Sequence, residues 1–421
     1  MASRAYDVVL YGATGFTGSM AAQYLAAHPQ APKVAFAGRN EAKIRNVIAK
    51  LTNVSKERVD SIGVLVASAE DEASLQHMAQ SANVLINMVG PYALYKGFEV
   101  AKACAEAGTG YVDLTGESSV YKHIVKDLHS VSKQTKAILV PSSGFDSLPF
   151  DLSTYMAVKA VREATGQTAD IDYALCGYLI KGSVSGGTIA SLAEQAKEHD
   201  IGFRDPYDLS PKRGTQVAKA VKVRALPQFA HKYGSYTLFT PHNTGVANRT
   251  WGLLEEAQQG DRYGPKFRYL EGYVTHSAVG AYLVSSVMLL ITWLLTHTTN
   301  VGSWMRKAVP QGTGAPMEKQ LKGFANIRTV AFANDGKTKG LATFKVKGDP
   351  GYLKTAAFIS ETALTIAFEK QRLQPVARQG GVLTPAAMGG EVLAERLSKY
   401  AGVTIETKDV SNSLNMAEEI K

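Results

Sequence analysis

A glycine-rich stretch near the start of the chain, YGATGFTG at residues 11–18, has the residue types and spacing of a phosphate-binding loop. Three glycines stand three residues apart, between a short apolar run and a segment rich in helix formers. In such a unit the glycines permit a tight turn, close approach of the backbone to a pyrophosphate, and packing of the helix on the strand. We therefore predict a dinucleotide site; a glycine turn without a ligand is the alternative. The loop residues predicted to contact the cofactor are Gly12, Thr14, Gly15, Phe16, Thr17 and Gly18.

The end of the second apolar run indicates which dinucleotide is bound. Residues 34–37 are followed by Gly38, Arg39 and Asn40, and no acidic side chain stands at this strand end. NAD sites usually place Asp or Glu here for the ribose hydroxyls, whereas an Arg pairs with the 2′-phosphate of NADP. Arg39 and Asn40 therefore favour NADP, and an Arg39 that merely ends a strand in solvent is the alternative.

Further cofactor contacts are expected where the next predicted strands end. Ligands of an open α/β sheet lie at the carboxyl ends of its strands. The predicted strands at residues 62–66 and 83–89 therefore place four more residues near the adenine and ribose. These residues are Ser68, Asn87, Val89 and Gly90.

Two side chains are candidates for supplying a proton beside the cofactor. Tyr92 follows the fourth predicted strand, and Asp146 follows the sixth. Tyr92 either donates a proton or packs against the cofactor, and Asp146 either serves as an acid or fixes its loop through backbone N–H groups. No metal-binding pattern and no hydrolase-type triad accompanies them, and His242 and His276 are expected to be structural or exposed.

The elements that must position these residues alternate between strand and helix through the first third of the chain. This order predicts an α/β protein with an N-terminal Rossmann-type, doubly wound parallel sheet. After residue 151 the pattern changes to alternating strands, which predicts a second α+β domain of mainly antiparallel sheet. We expect a cofactor domain at residues 1–150, a substrate or interaction domain at 151–379, and a C-terminal segment at 380–421 that packs back on the first domain.

Composition narrows the partners and the compartment. Forty-six basic and thirty-seven acidic residues give a net charge of +9, but the basic residues are dispersed, so nucleic-acid binding is not expected. The two cysteines, Cys104 and Cys176, form no CxxC pair, which argues against zinc and disulfides and fits a reducing compartment. The first residues leave no room for a signal peptide, so the cytoplasmic side is predicted.

One apolar run, from Ala278 to Leu295 (AVGAYLVSSVMLLITWLL), contains no charged residue. Eighteen helical residues span about 27 Å, close to the thickness of a bilayer core. Three interpretations are open. The run is a buried helix or a homodimer contact, a segment inserted into one face of a membrane or lipid droplet, or a full membrane span.

Several segments together resemble a known family. GATGFTG, AGRN, NMVGPYALYKG, YVDLTGE, SSGFDSLPFDL and GGVLTPAAMGGEVLAERL are similar to the saccharopine dehydrogenase-like oxidoreductases. The branch most similar contains the animal and fungal saccharopine dehydrogenase-like proteins and the mycobacterial trans-acting enoyl reductases. The resemblance implies an NADP-dependent oxidoreductase that reduces a lipid-like enoyl, imine or carbonyl substrate, and implies lipid droplets as a location. A protein that binds NADP without turnover, as a droplet-associated interaction module, is the alternative.

Overall fold

The computed structural model describes residues 4–183, 185–197, 205–217, 223–230, 232–258, 261–298, 307 and 313–412. Its first sheet has seven parallel strands in the order β13-β6-β5-β4-β1-β2-β3. The strands are β1 (Tyr6–Tyr11), β2 (Val34–Gly38), β3 (Gly63–Val66), β4 (Ala82–Asn87), β5 (Gly110–Asp113), β6 (Ile138–Val140) and β13 (Gly381–Val382). This sheet confirms the prediction of a Rossmann-type, doubly wound half.

Helices cover both faces of the first sheet because its strands are apolar on both sides. In β1, Val8 and Leu10 enter one core cluster, while Val9 and Tyr11 enter the other. The helices of this half are α1 (Phe16–Ala26), α2 (Glu41–Ala49), α3 (Lys56–Asp60), α4 (Glu72–Ser81), α5 (Gly97–Ala107) and α6 (Ser118–Thr135).

The second sheet has seven strands in the order β14-β12-β11-β7-β10-β9-β8. All its neighbouring strands are antiparallel except β7 and β10, which confirms the predicted mainly antiparallel sheet. The strands are β7 (Ile171–Lys181), β8 (Arg224–Leu226), β9 (Lys232–Ser235), β10 (Tyr269–Thr275), β11 (Phe324–Ala333), β12 (Lys339–Lys347) and β14 (Val403–Asp409).

Seven further helices are described in the rest of the chain. They are α7 (Leu148–Ala164), α8 (Gly186–Lys197), α9 (Phe239–Ala257), α10 (Ala278–His297), α11 (Met317–Leu321), α12 (Thr355–Phe368) and α13 (Pro385–Tyr400). Immediately before α12, residues Pro350–Lys354 form a π-helical turn whose first amides are capped by Asp349. Helix α9 and strand β10 were not predicted.

The chain returns to the first sheet after completing most of the second. Helix α12 packs against β1, β4, β5 and α1, and β13 pairs with β6 at the edge of the first sheet. Strand β14 then pairs with β12 in the second sheet. Residues after 354 therefore contribute to both sheets and hold the two halves together.

Candidate functional site

The glycine loop is a tight turn that only glycine can form at two positions. Gly12 has a φ of +92°, and its N–H donates to the Ala37 carbonyl at 3.0 Å. A Cβ on Gly12 would lie 2.8 Å from Val89 Cγ2, and a Cβ on Gly18 would lie 2.1 Å from the Gly12 carbonyl oxygen. The loop therefore packs as the sequence predicts, with the backbone of β1 and α1 in close contact.

The start of α1 is open to an anion. Gly15 is the N-cap residue, no side chain caps the helix, and its first turn contains no acidic residue. Thr14 and Gly15 are exposed, and Phe16 and Thr17 are half-buried. The first N–H groups of a helix attract negative charge, so this terminus fits the pyrophosphate of a dinucleotide.

Arg39 and Asn40 both lie exposed at the end of β2 but differ in their contacts. The Asn40 side chain accepts a hydrogen bond from the Lys43 N–H at 2.9 Å and caps α2. Arg39 forms no hydrogen bond or ion pair with the described residues. Its guanidinium is therefore available for a phosphate, while Asn40 holds the start of the neighbouring helix.

The four residues expected near the adenine and ribose lie around the same edge of the sheet. Val89 contacts Gly12, and the Ser68 hydroxyl accepts from the Glu70 N–H at 3.3 Å. Gly90 follows in the loop after β4. The fully buried Asn87 side chain is turned inward, accepting from the Val89 N–H at 3.0 Å and donating to the Tyr111 hydroxyl at 3.2 Å. Asn87 thus shapes the loop that carries Val89 and Gly90.

The Tyr92 hydroxyl is used by the backbone of two strand ends. It donates to the Asn87 carbonyl at 3.0 Å and accepts from the Leu114 N–H at 2.9 Å. Burial, followed by the nearby Asp113 charge, raises the pKa of Tyr92 well above its ordinary value. This use of the hydroxyl by the backbone argues against proton donation by Tyr92.

Glu117 fixes the loop that contains Tyr92. Its carboxylate accepts from the Tyr92 and Ala93 N–H groups at 2.9 and 2.8 Å, and from the Ser191 hydroxyl of α8 at 2.9 Å. One buried carboxylate therefore joins the end of the first sheet to a helix of the second half.

Asp146 lies in the loop between β6 and α7. Its side chain is accessible to solvent, yet surrounding protein desolvates the carboxyl and raises its pKa to about 6. It accepts no hydrogen bond from the described residues, which argues against a loop-fixing role. Burial, and to a lesser extent the charge of Asp146, raises the pKa of Tyr352, whose ring centroid lies 5.6 Å from that of Phe16. Asp146 and Phe16 of the glycine loop are therefore both close to Tyr352.

A contact between the two halves was missed by the sequence analysis. Ser142, which has a φ of +57°, follows β6, and its Oγ lies 3.1 Å from Nε2 of His242 on α9. Asp113 holds the Ser142 N–H at 2.9 Å, and burial raises the pKa of this carboxyl to about 6. Burial lowers the pKa of His242 to about 4, so the imidazole is neutral. The only feature of the sequence that could have indicated this contact is that Ser142 and Asp113 lie at the ends of predicted strands.

The loop, the open helix start and the basic strand end together fit a dinucleotide. They define the first half as the cofactor-binding part of a Rossmann-type oxidoreductase. Among the described residues, no group of three His, Cys, Asp or Glu side chains is arranged to hold a metal ion.

Comparisons with known proteins agree with this class. Residues 8–140 match the saccharopine dehydrogenase NADP-binding domain. A Mycobacterium tuberculosis protein provisionally named a trans-acting enoyl reductase is 34% identical over 426 residues, covering 96% of this chain and 98% of the relative. A trans-acting enoyl reductase of Mycobacterium bovis is 31% identical over 435 residues, with 97% and 99% covered. The apo saccharopine dehydrogenase (L-Glu forming) from Saccharomyces cerevisiae superposes over 96% of this chain and 100% of that chain, with a TM-score of 0.49 and 13% identity.

The chain belongs to the saccharopine dehydrogenase-like family of oxidoreductases. It is an NADP-dependent oxidoreductase, as the glycine loop and the resemblance both predicted.

Proposed function

We propose that the protein reduces the carbon–carbon double bond of a lipid-like enoyl substrate with NADPH, on the cytoplasmic surface of a membrane or lipid droplet. The names of the mycobacterial relatives support the reaction class. The exposed apolar helix α10 is the observation that carries the lipid surface and the lipid-like substrate.

Helix α10 is the candidate lipid-binding element because its side chains face solvent. In the described part of the chain it is the one helix long and apolar enough to cross a membrane, and 17% of its most apolar window is buried. Leu283 is 63% exposed and Trp293 is 54% exposed. An apolar surface of this extent on a folded protein marks a contact with another apolar body, and the dispersed positive charge favours an anionic lipid surface.

The position of α10 supports delivery of substrate from that surface to the cofactor. It packs against β9, β10 and α8, and Ser285 Oγ accepts from the Tyr236 N–H at 3.0 Å. Helix α8 in turn contacts Glu117 through Ser191. A single helix therefore lies between the apolar surface and the strand ends that meet the cofactor.

Reduction of an enoyl group requires a hydride and a proton, and NADPH supplies the hydride. Asp146 holds the proton in this proposal because its raised pKa keeps the carboxyl partly protonated near neutral pH. The carboxyl gives that proton to the substrate carbon next to the carbonyl, so two hydrogens are added across the double bond.

The direct test is NADPH consumption with an α,β-unsaturated palmitoyl thioester in anionic phospholipid vesicles, with the saturated thioester as control. We expect turnover with the unsaturated compound alone. NADPH binding without turnover of this or of imine and carbonyl analogues would contradict the proposed reaction.

The surface is tested separately by vesicle flotation. Replacing Leu289 and Leu290 with Asp should release the protein from vesicles while NADPH binding is retained. The matched control replaces Met317 and Leu321, two exposed apolar residues of α11, with Asp and should leave flotation unchanged. A protein that is soluble without detergent as a dimer, and whose dimer the first variant dissociates, would show that α10 is a homodimer contact instead.

A further inference from the structure

A polar cluster lies on the inner side of the second sheet and is formed by Glu271 of β10 and Asn243 of α9. Asn243 Nδ2 donates to Glu271 Oε2 at 3.1 Å, and the Tyr269 hydroxyl donates to the same oxygen at 2.7 Å. Thr240, one turn earlier on α9, lies near the same carboxylate. We call these residues the Glu271–Asn243 cluster.

Two acceptor oxygens of this cluster are buried without a partner among the described residues. They are Asn243 Oδ1 and Glu271 Oε1. The carboxylate fixes the orientation of the amide, because it accepts from Nδ2 and thereby turns Oδ1 away. Asn243 is 2% exposed, and buried polar atoms are rarely left without a hydrogen bond. The cluster therefore lacks a hydrogen-bond donor.

The cluster lies between the apolar helix and the cofactor edge. The residue before Asn243 is His242, which contacts Ser142 at the end of β6. On the other side lies Tyr236: burial and then the nearby Glu271 charge raise its pKa, and its N–H donates to Ser285 Oγ of α10. The Glu271–Asn243 cluster is therefore adjacent, through Tyr236 and His242, to both α10 and the end of β6.

We propose that the Glu271–Asn243 cluster binds a hydrogen-bond-donating group, a hydroxyl or an amide N–H, on an otherwise apolar substrate. This inference rests on the proposed function and specifies its substrate class. A carboxylate and an amide oxygen accept hydrogen bonds and repel a carboxylate or phosphate. Desolvation raises the pKa of Glu271 to about 6, so at neutral pH the carboxyl is mostly an acceptor.

Binding of matched lipid pairs to the NADP-saturated protein tests the proposal without requiring turnover. Dodecan-1-ol is compared with its methyl ether, and N-methyl dodecanamide with its N,N-dimethyl analogue, by calorimetric titration in the same detergent. We expect one donor-bearing member to bind about tenfold more tightly than its partner, as one buried hydrogen bond predicts. The pair that shows the difference identifies the donor.

The variants Glu271→Gln and Asn243→Leu should reduce this ratio to within about twofold while NADPH titration stays normal. The matched control is Thr244→Val, because the Thr244 hydroxyl donates to the Thr240 carbonyl of its own helix and not to the cluster. Equal binding within both pairs by the unmodified protein would overturn the inference, as would a ratio that the two variants leave unchanged. Failure of the proposed reduction would appear instead as absence of NADPH consumption with donor preference retained.

Discussion

Two apolar helices, α12 and α10, have opposite surroundings. Helix α12 lies under the cofactor-binding sheet, and twelve of its fourteen residues are buried. Helix α10 lies at the outside of the second half, and three of its twenty residues are buried. Both helices are apolar in sequence, so each is expected to be covered by another apolar surface. The comparison shows that hydropathy alone does not say whether the covering partner belongs to the same chain.

The polar residues of the two helices differ in a way that matches their surroundings. Glu361 of α12 is fully buried and accepts from Arg396 Nε at 3.0 Å and the Tyr24 hydroxyl at 2.7 Å, with His28 Nε2 at 2.9 Å. A buried charge persists only with such partners. In α10 the one ionisable side chain other than Tyr282 is His297, in the last turn. Helix α12 thus contains a buried charge with fixed partners in the same chain, whereas α10 contains no Asp, Glu, Lys or Arg that would need such partners.

The largest effect is expected when a charge is introduced into each of the two helices. The two substitutions test whether α12 and α10 differ in burial as described. Ala363→Asp in α12 buries an unpaired carboxylate at a fully buried position and should reduce the free energy of unfolding by about 3–5 kcal/mol. Leu289→Asp with Leu290→Asp in α10 should change it by less than about 1 kcal/mol, since these residues are 44% and 55% exposed. Denaturant titration measures both. Comparable destabilisation by the two changes would show that α10 is part of the core.

The second-largest effect tests whether the glycine loop can be altered without unfolding the cofactor-binding half, against which α12 packs. A Cβ on Gly15 meets nothing closer than 3.4 Å, so Gly15→Val should fold but block the approach of the pyrophosphate. We expect NADPH affinity to fall at least about a hundredfold, as branched bulk replaces several backbone contacts. Fluorescence titration measures the affinity. Gly18→Ala is the contrasting variant, which should disturb folding because its Cβ would contact the Gly12 carbonyl oxygen. Normal titration of folded Gly15→Val would contradict the phosphate site.

The third effect concerns discrimination between NADPH and NADH. Arg39→Ala should weaken NADPH by about tenfold to a hundredfold and leave NADH nearly unchanged, because one charge-assisted contact to the 2′-phosphate is lost. The ratio of the two dissociation constants checks this. Asn40→Ala is a useful comparison, since loss of the α2 cap should affect both cofactors equally. If Arg39→Ala weakened the binding of NADPH and NADH equally, the assignment of Arg39 to the 2′-phosphate would be wrong.

The smallest effect concerns Asp146, in the loop between β6 and α7. Its pKa is raised to about 6, so the protonated form is lost as the pH rises through that value. If this form donates the proton, the rate of the reduction step should fall about fivefold between pH 6 and pH 7. Asp146→Asn should be slower and lose this dependence. Single-turnover measurements with NADPH in excess would show it; an unchanged pH profile in the variant would assign the proton to another group.

The parts of the site that were predicted from the sequence depend on local geometry. The glycine loop could be predicted because Gly12 and Gly18 are required by contacts within the same strand–turn–helix unit. Arg39 could be predicted because it ends the next strand. The parallel sheet follows from the alternation of strands and helices, since parallel strands need crossover connections.

The rest of the site depends on contacts between distant segments. Ser142 and His242 are one hundred residues apart in sequence, and Glu271 meets Asn243 only because β10 and α9 pack together. Helix α9 itself was missed because its polar residues are buried on nearly all sides, so its sequence lacks an apolar stripe. The sequence also could not predict that the Asn87 and Tyr92 side chains point inward, because Asn and Tyr occur both in binding sites and in protein cores.

The late return of α12 and β13 to the first sheet has a consequence for biosynthesis. During translation the six strands β1–β6 leave the ribosome more than two hundred residues before α12, which covers one of their faces. Until then Val84, Val112 and their neighbours are exposed, so the nascent cofactor half must remain loosely folded or be shielded by a chaperone. Cofactor binding should therefore begin only after synthesis has passed residue 382, and a nascent chain stalled earlier should remain sensitive to protease.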